Sequence, residues 1–117
     1  MVTFKLAWPE ACLSQNHRGH WATSAPRKKK ARMVAKRVCK AALRNGKLLR
    51  KEHLSVTLTF HPPELKRRRD LQNLIGAMKY SVDGIADAAG IDDSQFDISF
   101  GWGAIIDEDG CVMVRLS

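Results

Sequence analysis

The chain is sparing with cysteine, nearly free of acids over its first half, and without any long apolar run. Its three cysteines, Cys12, Cys39 and Cys111, are odd in number, far apart and never in a C-x-x-C pair. That spacing argues against a disulfide framework and against a zinc site, and it favours buried free thiols. The four histidines, His17, His20, His53 and His61, also lack partners at metal-ligand spacing. No apolar stretch approaches the ~18 residues that a membrane span requires. The N-terminus has no signal-peptide pattern. The expectation is a cytoplasmic protein with no membrane partner.

The shortage of acids is local. Residues 1–69 carry 18 Lys and Arg against Glu10, Glu52 and Glu64, an excess of +15. Residues 70–117 carry Lys79 and Arg115 against nine acids, a local charge of −7. A basic half attracts a polyanion, and an acidic half can hold a cation. With 117 residues, 44% hydrophobic and 27% charged, the composition is that of an ordinary globular protein. It fits one domain, residues 1–117, with a modest core.

Hydrophobic periodicity orders the chain. Val2, Phe4, Leu6 and Trp8 alternate with polar or small residues, which predicts a strand stopped by Pro9. Residues 9–23 read as loop, within which Arg18 is a candidate DNA contact and Trp21 a core residue. Ser24 is a plausible N-cap for a helix that runs to Asn45 and stops at Gly46. Its apolar stripe is Ala31, Val34, Ala35, Val38, Ala42 and Leu43. The rest of that helix bears Lys28, Lys29, Lys30, Arg32, Lys36, Arg37, Lys40 and Arg44, with no acid on the same helix to pair them. Such a face can be solvated surface, but phosphate contact is its better use.

Leu54, Val56, Leu58 and Phe60 predict a second strand, ended by His61-Pro62-Pro63. After the Lys66–Arg69 run, an amphipathic helix extends from Leu71 to Ala89 and closes at Gly90. Phe96, Ile98, Phe100 and Trp102 form a third strand. Asp107-Glu108-Asp109-Gly110 is a turn, and Val112, Val114 and Leu116 form a last strand, giving a C-terminal hairpin. The predicted order is β-α-β-α-β-β, an α/β (mixed α+β) domain with two helices on one small mixed sheet.

The chemistry lies in Lys66-Arg67-Arg68-Arg69-Asp70-Leu71-Gln72-Asn73 and, beyond the helix, Asp92-Asp93. Cations hold phosphates, and carboxylates drawn from separate segments suit Mg²⁺. Gln72, Gly76, Lys79 and Asp83 share one helical stripe. Each residue also has a purely structural reading. Asp70 can cap a helix start, Lys79 and Asp83 can form an exposed ion pair, and Asp92-Asp93 can be a turn. Together they can also polarise a phosphodiester and activate water beside a bound cation.

Arg68-Arg69-Asp70-Leu71-Gln72-Asn73-Leu74, Lys79, Asp83-Gly84-Ile85 and Gly90-Ile91-Asp92-Asp93 resemble the signature of the RusA family of Holliday-junction resolvases. Trp8-Pro9 and the Asn16-to-Trp21 loop are similar to that family's opening segment. The resemblance spans nearly the whole chain. It implies a small α/β homodimer, at home in bacteria or a phage-infected host, that nicks four-way DNA junctions symmetrically with Mg²⁺ (Mn²⁺ as a substitute). By the same resemblance Asp70, Lys79 and Asp93 are catalytic. Asp70, Asp92, Asp93 and Gln72 surround the metal, and Asn73 and Asp83 support it. Arg18, Lys28, Lys29, Lys36, Arg67, Arg68 and Arg69 are the expected DNA contacts. Gln72 stands where the family has an Asp. That departure opens an alternative, a junction-binding protein with weakened or no cutting. A basic protein-interaction domain is a third possibility, and it leaves the Asp92-Asp93 pair unexplained.

Overall fold

A computed structural model describes residues 1–10, 13, 21–45, 54–64 and 71–117; the side chains of residues 21–23 and 45 are outside that description. Strand β1 is Val2–Ala7 and helix α1 is Trp21–Asn45. Strand β2 is Leu54–His61, followed by helices α2 (Leu71–Ala77) and α3 (Lys79–Ala89). A 3₁₀ turn at Asp93–Gln95 leads into β3 (Phe96–Trp102), and β4 is Cys111–Leu116. The result is a mixed α/β fold with a four-stranded mixed sheet.

The alternating strands fold as their pattern dictates. Leu54, Val56, Leu58 and Phe60 on β2 are wholly inaccessible, as are Val112, Val114 and Leu116 on β4. Val2, Phe4 and Leu6 extend the same apolar face along β1. The intervening residues, Thr3, Lys5, Ser55 and Arg115, are exposed. Ala35 and Cys39 of α1 and Leu74, Met78, Val82 and Ile85 of the other two helices complete the single core. Cys39 and Cys111 are buried free thiols, as their spacing predicts, and Cys12 lies outside the described residues. Burial pushes the Cys39 thiol up to about 11.

The sheet order is β1-β4-β2-β3, which replaces the expected C-terminal hairpin. β3 runs parallel to β2, while β4 is antiparallel to both β1 and β2. The cause is the helical crossover. A chain that leaves β2, forms helices and returns beside it must arrive parallel. β4 then takes the other flank of β2, and the connection between β3 and β4 crosses the end of that strand. Two hydrogen bonds pin the crossing. The Gly103 N–H donates to the Phe60 carbonyl at 2.8 Å, and His61 Nδ1 donates to the Ala104 carbonyl at 2.8 Å. The Asp107–Gly110 turn forms as expected, with Gly110 at φ 73° and its N–H on the Asp107 carbonyl.

Three further details differ from the sequence reading. α1 begins at Trp21, so Ser24 is buried within the helix and Pro26 also lies inside it, without the N–H that would bond the Ala22 carbonyl. Val34 is 40% exposed, whereas Cys39 belongs to the core. The second helix is divided at Met78, whose N–H is shared between the carbonyls of Leu74 (3.0 Å) and Ile75 (3.2 Å). Gly90 ends α3 in the left-handed conformation at φ 70°, donating to the Ala86 carbonyl, as its position predicts.

α1 and α3 pack very closely. A Cβ built on Gly84 collides with the Arg32 carbonyl oxygen and comes within 3.0 Å of the Lys36 nitrogen and 3.1 Å of the Ala35 Cβ. The bare glycine therefore lets the two backbones touch. That contact fixes where the acids of α3 sit against the cations of α1.

Candidate metal and nucleic-acid site

An open groove of about 480 Å³ runs along the far end of α3, lined by Asp83, Asp87, Asp92 and Asp93 with Arg32 reaching in from α1. Asp83 and Asp87 are one helical turn apart, which puts both on the groove side of α3. Gly90 and the extended backbone of Asp92 (φ −60°, ψ 139°) turn the chain so that Asp92 and Asp93 close the same groove.

The four carboxylates have different occupations. Asp87 accepts two hydrogen bonds from Arg32, Nε to Oδ2 at 2.7 Å and the terminal guanidinium nitrogen to Oδ1 at 2.9 Å. This fork holds the Asp87 carboxyl below its ordinary range, through those hydrogen bonds first. Asp92 caps the 3₁₀ turn, accepting the Ser94 N–H at 2.9 Å, which lowers its proton affinity. Asp93 is pushed the other way, mainly by its hydrogen bond with Asp92, then by desolvation and by the negative charges of Asp92 and Asp83. The turn reading of the acidic pair thus accounts for Asp92 and leaves Asp93 facing like charges. A bound cation would relieve that repulsion. Among the described residues no three His, Cys, Asp or Glu side chains are grouped closely enough to hold a metal ion by themselves.

The basic face of α1 meets this groove at its rim. Lys36 and Lys40, with Arg32, contribute the positive field that Asp87 feels. The absence of partners expected from α1 alone is corrected by the fold, because α3 supplies them. Arg32 pairs with Asp87, and Lys28 lies over the Tyr80 ring at 5.3 Å from its centroid. Lys29 is exposed and Lys28 and Lys36 are half-buried. Arg27, near the start of α1, is bound to Glu10 at 3.1 Å.

Lys79 is exposed at the first position of α3 and, among the described residues, makes no ion pair with Asp83. Gln72 is exposed and Asn73 half-buried on α2. Asp70, Arg18, Arg67, Arg68 and Arg69 lie outside the described residues. The groove therefore brings together Asp83, Asp92 and Asp93 of the residues singled out in the sequence. It adds Asp87, which was not, and gives Arg32, read from the sequence as one of the cations for phosphate contact, the role of Asp87's partner. The i, i+4 spacing of Asp83 and Asp87 carried a signal, but Arg32 lies 55 residues away in sequence and did not.

Among the described residues no helix is long and apolar enough to cross a membrane. No family model matches the chain. The chain is 37% identical over 97 residues to a protein of Xylella fastidiosa (strain Temecula1 / ATCC 700964) described as an uncharacterized protein. The matched stretch covers 82% of this chain and 63% of that relative, so the chain spans less than two thirds of the relative's length.

Proposed function

We propose that the protein is a Mg²⁺-dependent, structure-specific endodeoxyribonuclease that resolves four-way DNA junctions by paired nicks, acting as a homodimer in the cytoplasm of a bacterium or phage-infected host. The observation that carries the reading is the placement of Asp83, Asp92 and Asp93 in one groove beside the cationic face of α1. The donor set fits the ion, since hard carboxylate oxygens suit Mg²⁺ and Asp93 already faces the negative charges of Asp92 and Asp83. Bound there, the ion would polarise the scissile phosphate and lower the pKa of a water. Asp70 and Asp93 are its proposed ligands, with Asp92 alongside. Asp83 would supply the carboxylate that Gln72 does not.

The remaining residues position the substrate. Lys79 would steady the phosphate or the departing oxygen, and Asn73 would orient its neighbours on α2. Lys29, Lys28 and Lys36, with Arg18 and Arg67–Arg69, would hold flanking phosphates by charge and shape and not by base edges. Arg32 is committed to Asp87, so its part is to lock α1 against the groove.

A second reading, a junction binder that does not cut, is favoured by one observation: a neutral amide, the exposed Gln72 of α2, stands where the resemblance expects a carboxylate. A labelled synthetic four-way junction separates the two. With Mg²⁺ the nuclease reading expects symmetric nicks that chelation abolishes, and Gln72→Asp is expected to increase the rate. Tight binding with no nicks in either protein leaves the binder. Failure to bind the junction at all removes both.

A further inference from the structure

We propose that Arg32 is the resident counter-ion of the groove: by holding Asp87 it withholds a carboxylate from the metal ion, keeping divalent affinity low and the preference with Mg²⁺ over Ca²⁺. The inference rests on the metal reading of the groove and concerns how that site is regulated. Four carboxylates line the groove, and among the described residues that line it Arg32 is the one cation. Two of its donors are committed to Asp87, at 2.7 and 2.9 Å, in the planar fork that matches a carboxylate. The fork divides the acids. Asp87 is matched to a cation of the chain, and Asp83, Asp92 and Asp93 face the rest of the groove.

The charge of Arg32 reaches past its partner. Asp87 does most to hold the guanidinium in its charged form, by hydrogen bond and by charge, and the negative charges of Asp83 and Asp93 add to this. The same proximity acts on an incoming metal ion. A cation entering beside Asp83 and Asp93 meets Arg32 as a like charge. The fold fixes this placement, because α1 touches α3 at the Arg32 carbonyl, where a Cβ on Gly84 would collide. Gly84 stands about one helical turn before Asp87. The pair is also open, with 51% of the Arg32 side chain and 30% of the Asp87 side chain exposed. An ion pair that open adds little to stability, so it can be removed from a protein that still folds.

Releasing Asp87 would change which ion the groove suits. Mg²⁺ is held through one or two carboxylates and keeps several waters, whereas Ca²⁺ takes about six to eight oxygen ligands with looser geometry. Four acids without the guanidinium form the richer set that Ca²⁺ uses. Mn²⁺ titrations followed by the electron paramagnetic resonance of the free ion measure affinity without DNA. Arg32→Gln is expected to bind Mn²⁺ about tenfold more tightly than the parent chain. Displacement of Mn²⁺ should show Ca²⁺ gaining at least about threefold more than Mg²⁺. Arg32→Lys keeps the charge and should stay near the parent. Asp87→Asn should weaken Mn²⁺ binding, and Arg32→Gln combined with Asp87→Asn, which restores the net charge, should return it to about the parent value. The gap between parent and Arg32→Gln should narrow in about 1 M KCl, as a charge effect does and a purely structural one does not.

Thermal melts establish that each variant is folded. A folded Arg32→Gln chain that binds Mn²⁺ no more tightly than the parent overturns the proposal. A double variant as tight as Arg32→Gln alone overturns it too, because Asp87 would then not be what is withheld. If the parent nicks junctions while these affinities stay level, the proposal fails and the nuclease reading stands. If the affinities move as stated in a chain that never nicks, the proposal stands and the nuclease reading fails. No Mn²⁺ binding in any of the proteins removes both.

Discussion

Asp93→Asn is expected to bind a four-way junction as well as the parent chain and to cut it roughly 100-fold more slowly, or not at all. The substitution keeps the side chain's shape and removes its charge, and an amide is a poorer ligand for Mg²⁺ than a carboxylate. Loss of groups that merely orient a metal's ligands already costs 10–100-fold, so loss of a ligand should do no less. Stability should move the other way. Asp93 holds its proton more tightly in the folded chain than in the unfolded one, because of Asp92 and Asp83. Its ionised form thus opposes folding once the pH rises past its raised pKa, and below its unfolded pKa that opposition is absent. The neutral Asn removes the repulsion at every pH, so the variant should melt no lower than the parent. Asp92→Asn is the matched comparison, since Asn can still cap the turn. A variant that cuts normally, or one that has lost activity only because it has unfolded, would contradict the assignment. Mobility-shift, nicking and thermal-melt measurements on the same preparations distinguish these outcomes.

Gly84→Ala is expected to destabilise the protein by about 2–3 kcal/mol, the cost of forcing atoms into a packed contact. Helix propensity alone predicts the reverse, since alanine is favoured over glycine within a helix by about 1 kcal/mol. The clash decides the sign. The new methyl would meet backbone atoms of α1, the Arg32 carbonyl and the Lys36 nitrogen, and these cannot swing aside as a side chain would. For a chain of this size the melting temperature should fall by roughly 10 °C. Gly101→Ala is the control, because its added methyl meets open space. It should change stability by no more than about 0.5 kcal/mol. The α1–α3 contact also sets Arg32 against Asp87, so folded Gly84→Ala protein should show a displaced groove and slower nicking. Unchanged stability would mean that the two helices do not approach as closely as described.

The strands were legible in the sequence because each carries its own period of two, from Val2 to Leu6, Leu54 to Phe60 and Val112 to Leu116. Their order was not, because strand pairing is non-local. Phe96–Trp102 and Cys111–Leu116 are adjacent in sequence and joined by a good turn, so a hairpin was the local choice. The helical crossover nevertheless places β3 parallel to β2, and β2 lies between the two strands. Helix α1 was legible in its middle and not at its start, where Ser24 and Pro26 have the features of a helix beginning but lie inside it.

The candidate site was legible to the extent that its residues advertise themselves singly. Asp92-Asp93 at a strand entrance and Asp83 on the helix before it could be read as acids with a possible common purpose. Which of the pair caps the turn and which faces like charges could not, because it depends on the Ser94 N–H turning toward Asp92. The basic face of α1 suggested phosphate contact throughout. Its partial neutralisation by Asp87 and its stacking on Tyr80 depend on a helix crossing that Gly84 permits, and no periodicity in either helix reports that crossing.

Crystals soaked in Mn²⁺ test most directly whether the groove beside Asp93 holds the ion used for cutting. Anomalous density is expected at the Asp93 carboxylate, within reach of Asp70 or Asp83, and it should vanish in crystals of Asp93→Asn. Saturating Mn²⁺ that leaves this groove empty, or that binds only at a distance from Asp93, would contradict the account.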